Sequence, residues 1–304
     1  MSLFLEELLP AVQDATLKGC LKTAMVIRAN NVSEYIYLRS EKERWWNKDF
    51  PNVAPPAPIV WIEWRYPMMT NNLGKMIPMD QRIAGRRAGV LIVSHRGPGE
   101  LPTPEGPFLI PDGGWAGQGT LFVDFDPQDE FHFSKPVGTV IWMVGKAGEL
   151  LDPRPGMKGV MPGPNISDES AQSEVFKNWV SSSMYTPWAT LSFLHCKNVA
   201  CEKSPPAPAG ITKKRREAGA LPPIRFHVLK IGLPPMHWRA GGLHGRMPPN
   251  GLHICRGHFK TFDEKPLFGK IKGTWWWPMA TRGDRERGQV LKDYEMAKPK
   301  MEST

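Results

Sequence analysis

A chain of 304 residues, 41% of them hydrophobic, can bury a core as one large domain or two ordinary ones. It contains no apolar run of the roughly 18 residues that a membrane-spanning helix needs, and its four cysteines (Cys20, Cys196, Cys201, Cys255) are too few for a dense disulfide framework. The net charge of +9 is unevenly spread: residues 1–201 hold 19 Lys/Arg against 21 Asp/Glu, and residues 202–304 hold 20 against 9, so the last third is the part suited to an anionic partner.

Residues 2–25 place Leu5, Leu8, Leu9, Val12, Leu17, Leu21 and Met25 at helical spacing, which predicts a helix interrupted near Pro10 and Gly19. The opening residues lack the basic and apolar regions of a secretory signal, so the expected location is the cytoplasm. Residues 33–46 read as a second helix or a helical turn, and the proline-rich stretch 52–58 stops regular structure. β-Branched and aromatic content predicts strands at 59–66, 89–94, 120–125 and 138–144. The glycine-rich stretch from Gly113 to Gly119 lacks the Lys-Ser/Thr ending of a phosphate loop and reads as a hairpin loop.

A helix capped by Ser167 or Asp168 is expected through residue 183, and Thr186-Pro187 predicts the start of another that runs to about Cys196. Residues 203–223 combine prolines with Lys213-Lys214-Arg215-Arg216 and read as an exposed basic linker with one helical turn. Strands are then expected at 224–231, 252–261, 273–279 and 289–295, forming an antiparallel meander. The fold class that results is α+β, with mainly antiparallel sheets, N-terminal helices and a central helix around 168–195. Its expected parts are a near-neutral 1–166, a helical 167–202, the linker 203–223 and a basic 224–304.

The densest chemistry lies in His253-Ile254-Cys255-Arg256-Gly257-His258-Phe259-Lys260. Read as one strand, it aligns Arg256, His258 and Lys260 on one face, two permanent cations around a base that titrates near neutrality. Such a row can hold a phosphodiester while His258 transfers a proton, the composition of a metal-independent ribonuclease site; a purely phosphate-binding face is the simpler alternative. On the other face His253 and Cys255 could join Cys196 and Cys201 as zinc ligands, although the spacings are not those of standard fingers. Otherwise no metal or cofactor is expected. His95 could contribute a base, and Asp124 and Asp126, which would share a strand face, paired carboxylates for a metal, although alternating acids usually mark a solvated strand face.

Lys270, Lys272, Arg282 and Arg285 flank Trp275-Trp276-Trp277, the mixture of cations and rings with which single-strand binders track phosphates and stack bases. On a strand Trp275 and Trp277 share one face and Trp276 takes the other, so one face belongs to a core. Trp276 and the basic run at 213–216 complete the candidate contact set.

These C-terminal segments also carry a resemblance. Arg256–Lys260, the Pro-Leu-Phe-Gly-Lys of 266–270, Gly273–Trp277, Arg282-Gly283 and Lys292–Tyr294 resemble a group of phage- and prophage-associated bacterial proteins, as do Ala54-Pro55-Pro56 and Cys196-Lys197-Asn198-Val199. The group has no established activity, so the resemblance implies a phage–host setting and no mechanism. The reading that follows is a phage-related nucleic-acid-binding protein, RNA favoured, with RNA cleavage or toxicity as its enzymatic version. The alternatives are a non-catalytic module that docks on an acidic protein surface, and a zinc-stabilised structural module.

Overall fold

The computed structural model describes residues 3–37, 50–66, 68–70, 76–78, 87–102, 106–124, 135–151, 160–163, 174–218, 222–231, 251–255, 258–267, 271–277, 280–282 and 284–289. The chain divides into two units, 1–231 and 232–304, each described by itself.

In the first unit, helices α1 (Phe4–Ala11) and α2 (Ala15–Thr23) precede strand β1 (Met25–Arg28), α3 (Asn30–Tyr37) and β2 (Ile59–Arg65). A ribbon of β3 (Met68–Thr70) and β4 (Met76–Pro78) leads to β5 (Arg87–Arg96); a second ribbon, β6 (Gly99–Leu101) with β7 (Phe108–Ile110), leads to β8 (Trp115–Asp124) and β9 (Gly138–Val144). Then come β10 (Val160–Pro162), α4 (Glu174–Ser183), α5 (Tyr185–Leu194), β11 (Val199–Lys203), α6 (Ala209–Glu217) and β12 (His227–Ile231). Eight of these strands make one sheet in the order β10-β9-β8-β5-β2-β1-β12-β11. All its pairings are antiparallel except β2 with β1 and β1 with β12.

Period-two alternation gives the sheet two apolar faces, and helices cover both. On one, α1 and α2 lie over β2 and β5, where Trp61, Leu91 and Phe122 pack against Phe4, Leu5, Leu8 and Leu21. On the other, α4 packs on β9 and β10, and α5 on β11 and β12. There the Trp142 ring meets Trp188 edge-on at 5.8 Å. Two glycines make these tryptophans possible. A Cβ on Gly89 would lie 2.0 Å from the Trp61 ring, and one on Gly117 would lie 2.3 Å from that of Trp142.

The N-terminus of α1 is held from a distance. Leu3, at the cap position, offers no side-chain acceptor. Instead the buried carboxylate of Glu63 on β2 accepts from the amides of Phe4 (3.3 Å) and Leu5 (3.1 Å) and from Trp61 Nε1 (3.0 Å). This meets two of the helix's unsatisfied first-turn donors and sets a negative charge at its positive end.

Several expectations change. The break in the first helical stretch falls at 12–14, where Asp14 caps α2 by accepting from the Leu17 amide at 2.7 Å, and Gly19 stays inside α2. Met25, expected to end a helix, instead opens the strand β1, which lies in the interior of the sheet and is parallel to both its neighbours. Trp115 to Gly119 belong to β8 rather than to a loop; the turn is confined to Asp112-Gly113, where Gly113 has φ +68°. Helix α5 starts at Tyr185 behind a Met184 cap, so Pro187 sits in its first turn but not first in it. Within the described residues α3 ends at Tyr37 and α4 begins at Glu174; residues 38–49 and 164–173 lie outside them. Most consequentially, β12, assigned above to the C-terminal meander, is an interior strand of the large sheet, between β1 and β11.

The second unit contains β13 (Gly251–Cys255), β14 (His258–Leu267), β15 (Ile271–Trp277), β16 (Ala280–Arg282) and β17 (Asp284–Gln289). β14 and β15 form an antiparallel hairpin. β13 belongs to a separate three-stranded sheet, antiparallel to β16 and parallel to β17, so the two described parts of 253–260 pair in different sheets; residues 256–257 lie outside the described residues.

Candidate nucleic-acid interface

The β14–β15 hairpin decides how the cation and tryptophan cluster is displayed. Its register sets His258 opposite Trp277, Phe259 opposite Trp276 and Lys260 opposite Trp275. Directly opposed residues share a face, so His258, Lys260, Trp275 and Trp277 point to one side and Phe259 and Trp276 to the other. The second side is core: Trp276 is 1% exposed and meets Phe259 edge-on at 4.7 Å. Trp276 therefore has no ring face to offer a base, unlike the contact expected of it above. On the first side His258 and Lys260 are exposed and Trp275 and Trp277 half-buried. The Lys260 ammonium lies 5.0 Å from the Phe262 ring centroid and 5.8 Å from that of Trp277, a cation over aromatic faces.

Arg256 and Lys270 lie outside the described residues. Lys272 is exposed on β15, next to Gly273, whose φ of 97° is one that glycine adopts readily. Arg282 occupies the β16 position opposite His253, and Arg285 lies on β17; both are placed by backbone alone.

The basic run at 213–216 lies in the second half of α6, a helix with no buried residue. Its members divide by role. Arg215 Nη1 donates to Glu6 Oε2 at 2.8 Å, while Glu6 Oε1 accepts from the Ile224 amide at 3.0 Å, so this arginine ties α6 and the start of the β12 segment to α1. Lys213 sits 3.9 Å from Glu217 one turn on, a solvent-screened pair. Lys214 and Arg216 are exposed.

The proposed zinc thiols differ in setting. Cys196 is in the core, its Sγ donating to Ser192 O at 3.4 Å, and burial pushes its pKa up to about 12, against the thiolate that zinc requires. Cys201 is exposed on edge strand β11, where partial desolvation of the thiol still raises its pKa. Of His253 and Cys255 only the strand position is described. Among the described residues no three His, Cys, Asp or Glu side chains are gathered as a metal site. Asp124 is engaged by Arg87 at 2.7 Å, and the same guanidinium grips Glu7 with two bonds of 3.0 and 2.6 Å. Burial works against that guanidinium, but the two carboxylates outweigh it and raise its pKa. Asp126 lies outside the described residues, and His95 Nε2 meets Gln118 Oε1 at 3.2 Å.

Sequence reasoning missed one grouping. The register of β11 and β12 sets Lys203 opposite His227, and Arg225 precedes His227 by two residues on the same side. These three line an open cavity of about 490 Å3. Over twenty residues separate Lys203 from its partners, and only the pairing of β11 with β12 brings them together. Alternating basic residues at 225 and 227 were the available signal.

No protein-family profile matches the sequence, no curated protein is similar to it, and no solved structure matches its fold. No helix among the described residues is long and apolar enough to cross a membrane.

Proposed function

We propose that this chain binds single-stranded nucleic acid, RNA in preference, through the β14–β15 hairpin, in the phage-related setting that its C-terminal segments suggest. The observation that supports the reading is the joint display of exposed His258 and Lys260 with half-buried Trp275 and Trp277 on one strand face. Ring and cation side by side are what an unpaired strand requires, because each nucleotide brings both a π-face and a phosphate. Lys272 and the basic strands of the same unit enlarge the positive field: residues 232–304 hold 13 Lys/Arg against 7 Asp/Glu. That field attracts the strand, and the rings select for unpaired bases.

Fluorescence anisotropy with labelled single-stranded RNA, single-stranded DNA and duplex DNA across a salt series tests the reading. RNA affinity should fall steeply with salt, Lys260→Ala should weaken it at low salt and flatten the slope, and Trp277→Ala should cost about 1–3 kcal/mol of binding. Absence of binding to every probe at low salt would refute the proposal and direct attention to an acidic protein partner. RNA cleavage that persists in EDTA and disappears in His258→Ala would extend binding to metal-independent ribonuclease chemistry, with His258 carrying the proton.

A further inference from the structure

We propose that the open cavity in the first unit, at the N-terminal ends of β2, β1 and β12, is a binding site for a phosphate monoester of nucleotide size, with Lys203, Arg225 and His227 as its anion-binding groups. Thr23, Met25, Val26, Pro58 and Ile59 contribute to the walls, and no carboxylate is among the described residues that line them. Its volume of about 490 Å3 falls within the range of roughly 300–1,000 Å3 that small-molecule sites occupy.

The cationic groups are held in position by the backbone around them. Arg225 donates from Nε and Nη2 to the Ser204 carbonyl at 3.1 and 3.0 Å, which fixes the guanidinium plane and leaves Nη1 for a ligand. His227 Nδ1 lies 3.1 Å from the Val26 carbonyl; since a carbonyl only accepts, Nδ1 carries the hydrogen and Nε2 is left for a ligand, donating to a phosphate oxygen when the ring is cationic and accepting from a phosphate hydroxyl when it is neutral. Lys203, directly across the ladder from His227, adds a compact positive charge. The one acid beside this group in sequence, Glu202, projects to the other face of β11 and pairs with Lys230. The two permanent cations, Lys203 and Arg225, match the two negative charges of a monoester, and no carboxylate among the described lining residues competes for them. The apolar wall of Met25, Pro58 and Ile59 gives the rest of the molecule a surface, and Pro58 is pinned by the bond from the Ser94 amide to its carbonyl at 2.9 Å. The site belongs to the first unit alone and does not depend on the RNA reading of the second.

Isothermal titration of the full chain with AMP, inorganic phosphate and adenosine tests it. AMP and phosphate should bind saturably and adenosine should not. Lys203→Gln and Arg225→Gln should each weaken AMP by about tenfold, the loss expected for one charge-assisted contact, while the exposed control Lys197→Gln leaves it unchanged. Because Arg225 also holds Ser204, Lys203→Gln remains the deciding variant if Arg225→Gln lowers the melting temperature. Failure of both AMP and phosphate to saturate would overturn the proposal, as would adenosine binding as tightly as AMP, or a folded Lys203→Gln protein with unchanged AMP affinity. A 5′-phosphorylated oligonucleotide that competes with AMP where its 5′-hydroxyl counterpart does not would make a strand end the source of the phosphate; no competition would make it a free nucleotide, and either result supports the site.

Discussion

Glu63 occupies a place where a carboxylate is ordinarily costly, inside the core between a sheet and a helix end. Burial raises its pKa, and the Trp61, Leu5 and Phe4 donors, with Arg28, pull it back only in part. Glu63→Ala would strand three buried donors beside a cavity, and a loss of about 3–5 kcal/mol in denaturant unfolding is expected. The sign with pH follows from the raised value. The folded state binds this proton more tightly than the unfolded chain, whose carboxyl titrates near its ordinary value of about 4.3. This residue's contribution is therefore full below that pH and declines as pH rises through the folded pKa. Glu63→Gln should remove the decline, so the difference between wild-type and variant stability measured from acid to neutral pH should change in that direction. Nothing in the pattern Ile59–Arg65 marks this glutamate as internal, because two of its three partners are backbone amides nearly sixty residues away.

Elements whose signals were local are the ones legible from composition. β2, β5 and β9 lie where β-branched and aromatic runs put them, since each run is long enough to be read by itself. β1 was hidden because four residues next to a helix carry no period, and only its neighbours β2 and β12 make it a strand. The glycines of β8 concealed a strand for a different reason: they are required by the ring of Trp142 on β9, a cross-strand demand. In the candidate interface the sharing of a face by Trp275 and Trp277 was readable from alternation, whereas the core side of Trp276 depended on Phe259. Gly89→Ala tests the same close approach at β5. Its methyl would have to displace the fully buried Trp61 ring, and overpacking of this kind costs about 1–3 kcal/mol. The thermal midpoint should drop by roughly 2–4 °C for each kcal/mol lost.

Over the whole molecule, the basic last third is shared between both units. Residues 202–231 hold 7 Lys/Arg against 2 Asp/Glu and belong to the first unit through β11, α6 and β12, and 232–304 hold the remainder. The sequence boundary at residue 224 separated β12 from the sheet it completes. Expression of 1–231 should accordingly yield a soluble, cooperatively unfolding protein without the RNA affinity of the β14–β15 face, whereas a chain ended at 223 should be insoluble. Sedimentation and circular dichroism of the two truncations check this, and a soluble, folded 1–223 would refute the role given to β12.

The insertion of β1 between β2 and β12 also dictates when the protein can finish folding. One flank of β1 pairs with residues 60–63, but the other pairs with 227 and 228, so for most of translation the emerging chain carries an unpaired hydrophobic edge. Loop closure across some two hundred residues is slow compared with the local hairpins around it. A nascent chain of this design is most exposed to chaperones and to self-association just before β12 leaves the ribosome.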